Sequence, residues 1–315
     1  MQTLKLVCNL LKEVRSATLD TCMREFGIKP PATDYPASRT GASGTEFLLN
    51  KPLQRDMSEL AQTAGSTLSA RRLPEKENLV PSVLKKLCSG YRHLDQLLKI
   101  AEEGVEVRLL KKPLIRHVRP PNHGAARARI NILRKNIRKE QDAWRCLVLD
   151  AGLIEQWPEL IVSPFGVVDK GNEGASTSGR TIHDLSYPEG ETVNDYTGQA
   201  NITKPDFVHC DAVATDILRV KREHPNTEIE VMAGDVSSAF RNISIHSNSV
   251  FLFAGRIEEE NVIVIELSAP FGWTRSPGFY EIVGGAISHV HGSQYNAVNP
   301  TGFFNYHWLS WVLKQ

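Results

Sequence analysis

SVFLFAGRIEEENVIVIELSAPFGWTRSPGFY, residues 249–280, reads as two apolar strands, a tight turn and the first turns of a helix. SVFLFAG and NVIVIELS are rich in β-branched and aromatic residues and flank the acidic RIEEE, so they are expected to pair as an antiparallel hairpin. Ser276-Pro277 places a side-chain cap before a proline at the first helical position, and Phe279, Ile282, Val283, Ala286 and Val290 follow as a buried stripe. Gly272, inside an aromatic turn, lets backbone approach a flat ligand closely. A hairpin feeding a helix, without regular βαβ alternation, argues for an antiparallel α+β domain rather than a doubly wound sheet.

The strand-and-turn texture extends upstream to Trp157-Pro158. LIVSPFGVVDKG (160–171) is β-rich with a proline break, and GRTIHDLSYP (179–188) follows the Gly/Ser-rich loop GNEGASTSG (171–179). IEVMAGD (229–235) is a short apolar strand ending in an acid. A helix from Pro205 to Arg222 is expected to bury Phe207, Val208, Val213, Ile217 and Leu218. Residues 80–101 space their leucines helically and are punctuated by Gly90 and Gly104. GAARARINILRKNIRKEQDAW (124–144) sets Ala126, Ile130, Leu133, Ile137 and Trp144 on one face, with Arg127, Arg134, Lys135, Arg138 and Lys139 largely elsewhere. Residues 1–26 are amphipathic and are followed by a linker rich in Pro, Gly, Ser and Thr, so little fold is expected before about residue 78. The organisation is therefore 1–78 as a poorly ordered region with a short helix, 79–145 as a helical basic segment, and 146–315 as the strand-rich domain.

With 37 basic and 36 acidic residues the whole chain argues neither for nor against a polyanionic partner, but the distribution does. Residues 107–145 hold twelve Lys or Arg against two acids, a concentration suited to nucleic-acid phosphates. Five scattered cysteines form no CxxC pair, which fits a reducing compartment, and no apolar run is long enough to span a bilayer. The expected setting is intracellular, cytoplasmic or nuclear, with no membrane contact and no signal peptide. The HVH at His289 and His291 lacks further ligands nearby and makes no metal site.

Asp235 closes an apolar strand, where exposed carbonyls and a carboxylate suit Mg²⁺. Lys170 and Arg180 flank loop 171–179 and could fold over a triphosphate. In order along the chain, SPFGVVDK, GRTIHDLS, YPEGETVND, DVSSAFRNI and APFGWTRSP resemble the fingers and palm of a retroelement reverse transcriptase of the LTR or tyrosine-recombinase type. The resemblance covers about residues 145–308 and implies a partial right-hand polymerase fold. It implies that Lys170 and Arg180 hold the incoming phosphates, with Asp184 four residues beyond the arginine. Asp235 becomes a metal-binding catalytic aspartate, Val236 a main-chain metal ligand, and Phe240 the bulky residue that excludes a ribose 2′-OH. Pro270, Phe271, Gly272, Ser276 and Pro277 support the nascent base pair. The implied partners are an RNA template, a DNA primer and dNTPs, with Mg²⁺ or Mn²⁺ as cofactor.

One element departs from the family. An aromatic-x-Asp-Asp hairpin should follow about seventy residues after Asp235; Trp308-Leu309 arrives on schedule, but Ser310 and Trp311 stand where both aspartates belong. Two-metal phosphoryl transfer needs carboxylates from both elements. The expectation is therefore an inactive fragment, cut off at the catalytic hairpin and lacking a thumb. The other reading is a non-catalytic nucleic-acid-binding protein that uses segment 107–145.

Overall fold

The computed structural model describes residues 48–64, 79–111, 113, 119–170, 174, 176–197, 210–226, 228 and 236–293. The amphipathic stretch 1–26, its linker, strand 229–235 with Asp235, Phe207 and Val208, most of loop 171–175, and the run from 294 through Trp308, Ser310 and Trp311 lie outside these residues. The architecture is α+β with antiparallel sheets. Its helices are α1 (Lys51–Ala64), α2 (Pro81–Leu87), α3 (Leu94–Glu103), α4 (Gly124–Ala128), α5 (Ile130–Asp142), α6 (Val193–Thr197), α7 (Cys210–Glu223) and α8 (Ser276–Gly292). Its strands are β1 (Cys146–Asp150), β2 (Phe165–Val168), β3 (Arg180–His183), β4 (Ala254–Ile257) and β5 (Val262–Glu266).

The expected hairpin forms, with β4 and β5 antiparallel and β1 added on the far side of β5, in the order β1-β5-β4. Every residue of β5, VIVIE, is buried, because both faces of this sheet are covered. Cys146, Val148, Val262 and Val264 meet Ile132, Leu133 and Ile137 of α5 on one face. Leu147, Leu149, Ile263 and Ile265 alternate to the other face, against Leu153, Ile154 and Trp157, with Ala61 of α1 in the same cluster. A second, two-stranded sheet pairs β2 with β3, Val168 opposite Arg180. Phe165 of β2 stands over Gly255 of β4, where a Cβ would come within 2.3 Å of its ring, so the small residue lets the two sheets meet.

Several elements differ from the sequence reading. The first half of SVFLFAG is a 3-10 turn, Ser247–Leu252, with His246 accepting from Asn248 N, and the strand proper begins at Ala254. Ser276 is the first helical residue rather than the cap: its hydroxyl donates to Pro270 O at 2.9 Å, and Arg275 stands at the cap position without a side-chain bond. The 80–101 run splits into α2 and α3 around Gly90 at φ 83°, and α3 ends at Gly104 at φ 78°. A break at Arg129 separates α4 from α5, which re-phases the stripe so that Ile132 is buried while Ile130 and Trp144 are only partly covered. Ile217 and Leu218 of α7 are 36% and 58% exposed rather than buried, and among the described residues α7 sends no side chain into the apolar clusters. Helix α1 falls in the region read as carrying little fold. Its inner face is Gln54, Ser58 and Ala61, polar or small side chains that apolar periodicity does not register. Gln54 Nε2 donates to Asp150 Oδ1 at 2.6 Å, and Asp150 N donates to Ser58 Oγ at 3.0 Å.

No described helix is long and apolar enough to cross a membrane. Cys88 and Cys146 are buried thiols outside any disulfide among the described residues.

Candidate functional site

The turn at 270–275 docks against the end of the β2–β3 hairpin. Gly272 has φ 117°, and a Cβ there would lie 1.9 Å from His183 O, so only glycine fits. The close approach read from the sequence is thus made to the chain's own strand. His183 N donates to Phe271 O at 3.1 Å. Asn194, at α6, holds the turn from its outer side. Its Nδ2 donates to Gly272 O at 2.9 Å and to Ser186 Oγ at 2.7 Å, while its Oδ1 accepts from Thr274 N at 3.0 Å. Trp273 is buried beneath, with its Nε1 donating to Thr197 Oγ1 at 3.2 Å.

Phe240 is also brought to this turn. It lies in the 3-10 turn Ala239–Asn242, entered through Ser238 at φ 54°. Its ring meets Phe271 at 5.1 Å between centroids and Tyr280 of α8 at 5.9 Å, edge-on. Phe240, Phe271 and Gly272, singled out from distant stretches, therefore gather in one region, and Val236, partly buried, packs against the same apolar cluster.

Arg241 anchors the segment from below. Its guanidinium is buried and donates to Glu140 Oε2 at 2.9 Å and Glu266 Oε2 at 2.5 Å, with Ser268 O at 3.3 Å. Burial alone would weaken its charge, but Glu266 and Glu140 more than offset this and hold its pKa above the ordinary arginine value. The sequence reading did not single out Arg241, although an acid closing the apolar run VIVIE already signals a buried cationic partner.

His183 is fully enclosed. Its Nε2 lies 3.0 Å from Ala254 O, and Phe165 stacks obliquely at 4.7 Å. Burial drives its pKa down to about 4 from an ordinary 6.5, with Arg241 adding to the shift and Asp184 opposing it. Asp184 is itself held 2.8 Å from His123 Nε2.

Lys170 and Arg180 are exposed at the loop end of the β2–β3 hairpin, away from His183, and Arg180 makes no ion pair among the described residues. Helix α5 and its flank tether the hairpin. Arg129 pairs with Asp169 at 2.9 Å and also donates to Ser178 O, and Asn136 Nδ2 donates to Gly179 O and Thr181 Oγ1, both at 3.0 Å. Among the basic candidates, Arg134 pairs with Glu260 at 2.7 Å and Arg138 with Asp142 at 2.5 Å. Arg127 and Lys139 are exposed and without an ion pair among the described residues, while Lys135 lies half-buried. Much of the basic segment's charge is thus spent inside the fold.

No protein-family model matches this chain, and no curated protein matches it. Among solved structures, the foamy viral protease-reverse transcriptase dRH in complex with double-stranded DNA is similar, with a TM-score of 0.35 and 13% identity. The match covers 63% of this chain and 33% of that one, so this chain spans about a third of that protein's length. A likeness of that degree assigns neither fold nor function, which leaves the site's own geometry to support a reading.

Among the described residues, no three His, Cys, Asp or Glu side chains group so as to hold a metal ion. What the site offers chemically is the partly exposed Phe271 ring, backed by the buried Phe240, next to a hairpin whose outer end carries two exposed cations.

Proposed function

We propose that residues 146–315 are a reverse-transcriptase-like fingers and palm unit that binds a nucleoside triphosphate against the Phe240–Phe271 pair, without completing DNA synthesis in the sequence as it stands. One observation carries this reading: the Gly272 turn seats on the last residue of β3 while Phe271 touches Phe240. Three stretches whose order resembles the family thereby meet at one place. Arg180 and Lys170, on the hairpin that the turn supports, would receive the phosphates, and the Phe240 ring would face the sugar. The RNA template and DNA primer would run past the 270–277 turn.

A Mg²⁺ or Mn²⁺ ion would be held by the Asp235 carboxylate and the Val236 carbonyl. When bound, it would neutralise triphosphate charge. With Ser310 and Trp311 in place of two aspartates, one carboxylate suits a single ion delivered with the nucleotide rather than a two-metal centre. The test is binding of a fluorescent dNTP, with primer extension on an RNA template run in parallel. The expected result is Mg²⁺-dependent dNTP binding that Arg180→Ala weakens about tenfold, worth about 1.4 kcal/mol, that Asp235→Asn makes metal-independent, and no extension with either ion. Binding indifferent to both substitutions sinks the reading of the site, and robust extension sinks the inactive part.

A non-catalytic nucleic-acid-binding role for 107–145 is a second reading, supported by Arg108, Arg127 and Lys139, which are exposed and have no ion pair among the described residues.

A further inference from the structure

Arg275 is 4% exposed, and its guanidinium makes no hydrogen bond or ion pair among the described residues, with Nε fully enclosed. Such an arginine is costly, because its Nε–H has left water without an acceptor and its charge sits in a largely covered place with no counter-charge among the described residues. Two further features worsen its position. It stands at the cap of the seventeen-residue α8, where the helix end is already positive, and Arg108 from the segment after α3 lies close enough to repel it. Burial and Arg108 both push the Arg275 pKa down. Lys111, three residues beyond Arg108, places its Nζ 5.1 Å from the centroid of the Tyr196 ring, and α6 bonds the same turn through Thr197 and Asn194. Lys111 is answered by the Asp195 carboxylate of α6, so the uncompensated positive charge is that of Arg275 and Arg108.

From these observations we infer that Arg275, Arg108 and the N-terminus of α8 form an anion site for a phosphate group, either a free phosphate or a phosphodiester of a nucleic-acid backbone. An oxyanion there turns each unfavourable contact into an attractive one: the planar guanidinium offers paired donors, Arg108 closes from the exposed side, and the helix end adds its dipole. The site uses neither Arg180 nor Asp235, but Arg275 lies in the 270–277 turn beside which the proposed function sets the template and primer, so the duplex arm rests on that reading and the free-phosphate arm does not.

The probes are inorganic phosphate and a short RNA–DNA duplex, each added to the full chain at matched ionic strength with chloride as control. Thermal unfolding of the wild type should shift upward by about 4 °C at a tenfold excess over Kd. Arg275→Met and Arg108→Ala should both abolish the shift, and Arg275→Met should melt no lower than the wild type in phosphate-free buffer, because it removes an uncompensated charge. A shift with phosphate alone identifies a free-phosphate site, and a shift with the duplex alone identifies a backbone contact; either supports the inference. No shift with either probe, or an undiminished shift in both variants, overturns it. If Arg275→Met fails to fold, Arg108→Ala, on an exposed side chain, still decides the question.

Discussion

Gly272 and His183 show how much a single position can hold. Gly272→Ala would require a side chain at φ 117° and a Cβ 1.9 Å from His183 O, so the turn must lift from β3. The expected loss is about 3 kcal/mol in chemical denaturation; a variant within 0.5 kcal/mol of the wild type would show that the turn does not bear on the strand. His183 makes a pH prediction. Its folded-state pKa of about 4 lies below the ordinary 6.5, so the unfolded chain takes up a proton first as the pH falls. Stability is fully present above about pH 6.5 and declines toward pH 4, by about 3 kcal/mol in all. His183→Gln, which keeps a donor toward Ala254 O, should flatten that part of the stability–pH curve. An unchanged slope in the variant would assign the titration to other groups.

Between elements, the Arg241 network ties α5, β5 and the 3-10 turn that carries Phe240. Arg241→Met takes from the buried Glu266 its 2.5 Å ion pair, at a cost of about 3–5 kcal/mol. Adding Glu266→Leu removes that charge, and Glu140 keeps its 2.9 Å pair with Arg145. The double variant should therefore recover most of the lost stability in urea unfolding; a double variant as weak as the single one would mean that Arg241 acts by its shape rather than its charge. The hairpin between β4 and β5 was legible in the sequence because apolar residues cluster either side of an acidic turn. Helix α1 was not, since its buried face is made of Gln54, Ser58 and Ala61, and their partners lie on β1, almost a hundred residues away.

At the scale of the whole molecule, the basic segment 107–145 makes the clearest test. If all of its excess charge reached a duplex, the affinity for B-form DNA would fall with salt at a log–log slope of about −9. With Arg129, Arg134, Arg138 and Arg145 engaged in ion pairs, four exposed cations, Arg108, Lys111, Arg127 and Lys139, remain without one among the described residues. The expected slope is about −4, measured by fluorescence anisotropy between 50 and 200 mM salt, the range over which counterion release is usually read. A slope near −9 would require the internal ion pairs to open on binding. By itself the sequence determined the antiparallel α+β class, the hairpin of β4 and β5, the start of α8 within one residue, and the order of the stretches that resemble a polymerase. These follow from local spacing, turn chemistry and propensity, which neighbouring residues carry between them. Only the tertiary structure decided that Gly272 serves the carbonyl of His183, that Glu266 pairs with Arg241, that most of the arginines of 124–145 are spent inside the fold, and that Arg275 is buried without a hydrogen-bond or ion-pair partner among the described residues. Each of those depends on which residues long-range packing brings together, and on the cost of burying a charge or a Cβ where nothing receives it.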